Sequence, residues 1–298
     1  MAHPQDSLHP LTTAPGMASR LRAIGKATLY LVLALISALL VSALLRVATG
    51  RTLQELMQSG PMNGLLAHAA LLVALVIVPT WISLRLWKEP VAWSGWAGGE
   101  RVRNAALGLA VGAGLMALIV FVLWATGVWS GAFTAASLPE MLGMVLISAL
   151  LWLTQAAHEE GLHRGYAFVQ LSRALSFWPA AVVLGLWFMW GHVGHEGATP
   201  TSLAVAGLFA LVLAYSFLCT GSLWFALGFH ASWNFTQSFV FGLPNSGGAS
   251  PQSFMVSRIE GPPLLTGGGA GPEGSVLSLL AIVALAAFVH FGLGRRPA

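Results

Sequence analysis

The sequence predicts an all-α fold, a polytopic transmembrane helical bundle of about eight spans. Three observations carry that expectation. The 298 residues are 56% hydrophobic and only 8% charged, where an ordinary soluble domain is about a quarter charged. The mean hydropathy is +0.77, and the apolar residues gather in runs of about 20, the length that crosses a hydrocarbon core. The chain lacks the alternating short strands that a membrane β-barrel requires.

The elements follow in order. Residues 1–26 read as a disordered cytoplasmic tail, with Pro4, Pro10 and Pro15 among Ser and Thr and no apolar run. The first apolar run starts near Ala27 and is too long for the core of a cleaved signal peptide. The expected spans are roughly 27–45, 64–84, 105–125, 138–158, 177–193, 202–219, 222–241 and 275–293, with an extension of the fourth to about 171 as its alternative. Trp81, Trp87, Trp93, Trp96, Trp124, Trp129 and Trp178 fall near span ends, as an interfacial aromatic belt places them. The stretch 242–274 is rich in Gly, Pro and Ser and reads as a flexible outer loop, a linker first and a substrate gate second. There is no internal repeat and no soluble domain.

Charge placement sets an orientation. With the N-terminus inside, inner segments hold 11 Lys and Arg (Arg20, Arg22, Lys26, Arg85, Lys88, Arg101, Arg103, Arg164, Arg173, Arg295, Arg296) and outer segments 3 (Arg46, Arg51, Arg258). Both termini are therefore expected in the cytoplasm. The net charge of +4 forms no basic stripe, which argues against a nucleic-acid partner. The single cysteine, Cys219, excludes an internal disulfide and any multi-cysteine zinc site, and reads as a small apolar helix residue.

Polar residues interrupt three of these runs. His158-Glu159-Glu160-Gly161-Leu162-His163-Arg164 sits where the fourth span should be apolar. Ionised groups near a span centre cost at least ~2.5–3.5 kcal/mol each, so a chain that keeps three together is usually using them. Glu160 and Arg164 are spaced i, i+4 with the acid first, which lets them pair on one face. Glu159 lies about 100° round the helix, free to point elsewhere, with His163 one turn on. The stretch is not an HExxH motif: His158 and His163 are five residues apart and do not share a face. In the fifth run, Phe188 precedes His192, and His195 and Glu196 follow in the expected outer loop. In the seventh, His230 and Asn234 share a face at i, i+4. Taken alone, the His192 position fits an interfacial helix end, and the His230–Asn234 pair fits an interhelical hydrogen-bond clamp.

In combination they are more specific. Glu-Glu-x-x-x-Arg, then Phe-x-x-x-His, then His-x-x-x-Asn, in that order, resembles the CPBP intramembrane proteases, the type 2 CAAX prenyl protease or abortive-infection family. The matching residues are Glu159, Glu160, Arg164, Phe188, His192, His230 and Asn234. The resemblance covers about 140–240, which becomes the protease core of a single transmembrane domain, 27–298. It implies an endopeptidase in which Glu159 activates the attacking water, His192 helps to hold it, and His230 and Asn234 stabilise the oxyanion. Glu160 and Arg164 would orient Glu159. The chemistry is self-consistent: hydrolysis by water needs a base and oxyanion donors, and no Ser or Cys nucleophile.

Two points stay open. Glu159, His192 and His230 also make a Glu plus two His set able to hold a divalent metal such as zinc, beside the metal-free glutamate mechanism that fits the same residues. The simple topology also places Glu159 late in an inward-running span and His192 late in an outward-running one, at opposite faces. They meet only if the fourth helix runs on to about Leu171 and the fifth tilts or begins deeper. The expected substrate is a membrane-associated protein or peptide. The Gly- and Ala-rich chain looks bacterial, where prenylated CAAX substrates are not expected, so the expected location is the inner (cytoplasmic) membrane. The alternatives are a non-catalytic peptide-binding immunity or scaffold protein, and a proton-coupled transporter. A transporter is disfavoured by the missing inverted repeat. His163, His195 and Glu196 are expected to take no part, with His163 the first exception.

Overall fold

The computed structural model describes residues 16–98, 100–248 and 252–293. All eight expected apolar runs are helical. Six helices are long and apolar enough to cross a membrane: Met17–Thr49, Pro61–Trp87, Arg101–Ala125, Leu138–Leu175, Pro200–Thr220 and Val276–Leu293. The protein is an all-α integral membrane bundle. Its outer surface carries exposed Leu35, Leu39, Leu44, Leu118, Phe121 and Val283, while Glu160, Gln170 and Gln237 are buried inside. That inversion is what a hydrocarbon solvent selects.

Helix α1 (Met17–Thr49) starts ten residues before the expected span. The hydropathy of 17–26 is low because of Arg20, Arg22 and Lys26, but packing makes the segment helical. Ala23 and Ala27 are buried, and Lys26 reaches Glu89 at 2.6 Å. The rest of the expected tail, residues 1–15, lies outside the described residues. Glu89 also accepts from the Tyr166 hydroxyl at 2.6 Å and from Gln170 Nε2 at 3.0 Å. One carboxylate thus ties α1 to the turn after α4 (Val78–Trp87) and to α7 (Tyr166–Leu175).

After the short α2 (Leu53–Gln58), capped by Thr52 and Glu55, comes α3 (Pro61–Leu71). It joins α4 through a widened π turn, Leu72–Ile77, just ahead of Pro79, which has no N–H to continue the regular ladder. Helix α6 (Leu138–Arg164) begins with a capping box of Ser137 and Glu140. It breaks at Gly165, and α7 continues to Leu175, so the fourth apolar run does extend past 171. Helix α8 (Phe177–Gly191) is shorter than a full span, and α9 (Pro200–Thr220) returns.

Helix α10 (Trp224–Phe235), prolonged by a π turn to Val240, is not a lipid-facing span. Phe225, Phe229, Ala231, Trp233 and Asn234 are all buried. It lies against α5 (Arg101–Ala125) with backbones almost touching. A Cβ on Gly108 would come within 2.2 Å of Phe225 O, one on Gly112 within 2.4 Å of Phe229 O, and one on Gly228 within 2.3 Å of Ala105 O. Small residues permit this approach, which in lipid replaces the absent hydrophobic drive between helices. The core of Met116, Leu123, Phe225, Phe229, Trp233 and Leu285 closes around the seam, with α12 (Val276–Phe288) on its far side.

The chain also forms one short antiparallel ribbon, which the sequence reading did not anticipate. β1 (Trp129–Phe133) pairs with β2 (Met255–Ile259), Trp129 opposite Ile259 and Phe133 opposite Met255. Trp129 Nε1 donates to Ser257 Oγ at 2.8 Å. The ribbon and the short helix α11 (Pro263–Thr266) give the described part of 242–274 a defined path in place of the expected linker. Close backbone approaches fix that path against the turn after α8. A Cβ on Gly197 would meet Gly269 at 2.4 Å, and one on Gly247 would meet Glu196 O at 1.8 Å.

The α5–α10 seam is testable. Gly108→Leu and Gly112→Leu force a side chain into opposing backbone, and overpacking of this kind costs about 1–3 kcal/mol or more. Both should melt at lower temperature than wild type by tryptophan fluorescence in detergent. Gly114→Ala, whose Cβ meets nothing within 4 Å, should melt with wild type; equal melting of all three would refute the seam.

Candidate active site

The site is built around a buried carboxylate on α6. Glu160 is fully buried, and both its oxygens are used. One meets Arg164 Nη1 at 2.6 Å, one turn on. The other accepts from His230 Nδ1 at 2.8 Å, on α10. Arg164 also donates to Ala210 O on α9 at 3.4 Å and stacks over Phe188 of α8 at 5.4 Å. This cluster fixes four helices together.

With Nδ1 committed to Glu160, His230 turns Nε2 toward Glu159, 3.6 Å from its Oε2. Glu159 is held from its other side by Gln155 Nε2, one turn earlier on α6. Gln155 Oε1 accepts from Asn234 Nδ2 at 3.0 Å. Asn234 Oδ1 in turn accepts from Asn245 Nδ2 at 3.0 Å. Each amide donates to the next, so a single directed chain runs Asn245, Asn234, Gln155, Glu159. The second Nδ2 hydrogen of Asn234 is left over by this pattern.

His192 stands at the C-terminus of α8. Its Nδ1 donates to Phe188 O at 2.8 Å, which leaves Nε2 free of the backbone. Glu159, His192, His230 and Asn234 line one partly enclosed cavity of about 80 Å³, together with Gln155, Arg164 and Phe188. That is space enough for several waters. Glu159 and His192 therefore share a cavity, and the topological conflict between them dissolves. The continuation of the fourth helix past Gly165 brings Glu159 away from the helix end, and α8 stops short, at Gly191.

The other histidines are sorted by the fold. His158 stacks on His68 at 5.2 Å, away from the cavity. His163 packs behind the wall on Trp187 and Phe188, with Nδ1 donating to Glu159 O at 2.9 Å. His195, not His163, lines the cavity, and it stacks on His192 at 5.1 Å. Burial and the neighbouring His192 hold the His195 pKa below its ordinary value. Glu196 does not line the cavity.

Among the lining residues that the sequence does not mark are Gln155, Asn245, Ser246 and Glu273. Gln155 lies one turn before Glu159, a spacing that could have found it. The other three come from the Gly- and Pro-rich stretch, where no periodicity marks them. Glu273 Oε1 accepts from the Ser246 N–H at 2.6 Å and from its hydroxyl at 2.8 Å. Burial raises the Glu273 carboxyl's pKa, against the lowering effect of the Ser246 bonds.

Residues 140–236 match the protein-family model of the type II CAAX prenyl endopeptidase Rce1-like proteins. The match contains all seven motif residues and the Gln155 link, and it supports intramembrane peptidase activity of the CAAX-protease type. It leaves out Asn245, Ser246 and Glu273, so the Rce1-like segment accounts for part of the cavity only. No curated protein matches the chain.

Among the described residues no three His, Cys, Asp or Glu side chains stand together as a group able to hold a metal ion. His230 commits Nδ1 to Glu160, which leaves it only Nε2 to offer as a ligand.

The buried cluster makes a stability prediction. Arg164→Met leaves Glu160 without its charge partner and should cost about 3–5 kcal/mol. The double change Glu160→Gln with Arg164→Met removes both charges and should restore much of that loss in detergent thermal melts. A double variant no more stable than Arg164→Met would contradict the pairing.

Proposed function

We propose that the protein is an intramembrane endopeptidase that hydrolyses a peptide bond in or near the bilayer with a glutamate-activated water. The observation that carries this reading is the meeting of Glu159, His192, His230 and Asn234 on one cavity inside the bundle. A water between Glu159 and His192 Nε2 gives up a proton to Glu159 as its oxygen attacks the scissile carbonyl. The carbonyl becomes a tetrahedral oxyanion. The spare Nδ2 hydrogen of Asn234, and protonated Nε2 of His230, supply donors to that oxygen. The proton held by Glu159 then passes to the leaving nitrogen as the C–N bond breaks. Glu160 and Arg164 act as positioning residues by fixing His230, and Gln155 does so by holding the Glu159 carboxylate. No step is routed through a metal.

The substrate is a membrane-associated protein or peptide, and the setting a bacterial inner membrane with both chain termini in the cytoplasm. The charge asymmetry of the loops and the composition support these assignments.

The test compares newly formed peptide termini in membranes of cells carrying wild type or Glu159→Gln at equal expression. Termini confined to wild type support proteolysis and nominate the substrate; identical profiles argue for a peptide-binding scaffold or a transporter. On any substrate so found, Asn234→Ala should lower kcat by about 10²–10³, the loss typical of one oxyanion donor. Stripping divalent metals with a chelator should leave the rate unchanged, and a loss restored by zinc would overturn the metal-free mechanism.

A further inference from the structure

The cavity has a second ionisable wall that the proposed mechanism does not use. Glu273 faces Glu159, His192 and His230 across the same space. Its Oε1 is saturated by the two Ser246 donors. Among the described residues no side chain donates to its Oε2. Ser246 is itself held in a left-handed backbone conformation, φ 48°, which a non-glycine residue adopts only when its surroundings fix it. Next to it, Asn245 begins the amide chain that ends on Glu159. The Glu273 wall is thus placed with the same care as the residues that perform hydrolysis.

The charge balance of the cavity then points to a ligand. Among the described residues that line it, the one guanidinium, Arg164, is consumed by Glu160. Glu159 and Glu273 remain, with only histidines among the described lining cations to answer them. Val205, Phe209 and Leu213 of α9 supply an apolar part of the lining. A cavity of this kind attracts a cation attached to an apolar body and repels an anion.

We propose that Glu273 is a specificity-determining residue that binds a basic side chain, lysine or arginine, lying beside apolar residues close to the scissile bond of a peptide. The inference rests on the endopeptidase reading and adds a substrate class to it. Asn245, Ser246 and Glu273 lie outside the segment that matches the Rce1-like model, so the preference rests on this wall and not on the family match. The ammonium or guanidinium supplies the counter-charge that burial denies Glu273, while the apolar neighbours pack on Phe209 and Leu213.

The experiment uses the full chain in proteoliposomes. The probes are quenched-fluorescent peptides of Leu and Ala that carry one Lys, norleucine or Glu at each successive position. At one or two positions the Lys peptide should exceed the norleucine peptide in kcat/KM by about tenfold or more, as expected of a desolvated charge pair. Glu273→Gln should collapse that ratio to near one, and Glu273→Lys should turn the preference toward the Glu peptide. No Lys preference in wild type, its survival in Glu273→Gln, or an equal fall for all three peptides would overturn the proposal. The last result would make Glu273 a clasp for the Ser246 turn and nothing more.

A binding arm separates this inference from the hydrolytic one. Fluorescein-labelled Lys and norleucine peptides are titrated onto Glu159→Gln in nanodiscs, with and without Glu273→Gln. A tighter Kd for the Lys peptide that disappears with Glu273→Gln supports the subsite even if wild type cleaves nothing. Equal Kd values for the two peptides overturn it even if wild type is an active protease.

Discussion

The buried carboxylate of Glu160 is the constraint on which the rest of this structure depends. An ionised group inside a bundle surrounded by hydrocarbon must have both oxygens satisfied. Arg164 answers one and His230 the other. Because these partners stand on α6 and α10, and Arg164 also touches α8 and α9, satisfying one carboxylate fixes the relative positions of four helices. The ring of His230 is then oriented by its Nδ1 bond, which decides that Nε2 is the atom presented to Glu159. The neighbouring glutamates divide the labour: one is immobilised by pairing, and the other lines the cavity.

The α5–α10 seam serves the same end from outside. Helix α10 carries His230 and Asn234 and is buried on nearly every side. A helix so placed needs a neighbour close enough to fix its height and rotation. Gly108, Gly112 and Gly228 allow the backbones to meet directly, so the depth of His230 is set by rigid main chain and not by adaptable side chains. Glycines outside the cavity lining thereby help to set the distance between His230 and the two glutamates.

A directed chain of amides completes the arrangement. Asn and Gln side chains present donor and acceptor on opposite sides of one planar group, so a series of them transmits orientation from one end to the other. Here the series starts at Asn245 in the outer turn and ends on Glu159. The turn is held by Ser246 and Glu273, and the latter sits just before α12. Asn245, Ser246, Ala270 and Glu273 therefore bring parts of the stretch 242–274 into the cavity wall, and the proposed basic-residue subsite lies on the segment that also orients the proposed base.

The sequence by itself determined the class of fold and the residues worth watching. Runs of about 20 apolar residues dictate membrane helices because the bilayer core has a fixed thickness. Glu159, Glu160 and Arg164 were legible because a charge inside such a run is expensive and therefore rarely idle. Short-range spacing also made the Glu160–Arg164 pair readable, since i, i+4 is a property of the helix alone. Tertiary structure alone decided the rest. It gave His230 its bond to Glu160, seventy positions away in the chain, and turned His163 behind the wall while bringing His195 into the cavity. It started the first helix at Met17, where packing and the Lys26–Glu89 pair offset low hydropathy. It also drew Asn245, Ser246 and Glu273 from a Gly- and Pro-rich stretch onto the site. The physical reason is common to these cases: hydropathy and periodicity report what a segment prefers in isolation, whereas partners distant in sequence are chosen by which buried polar groups must satisfy one another once the helices have packed.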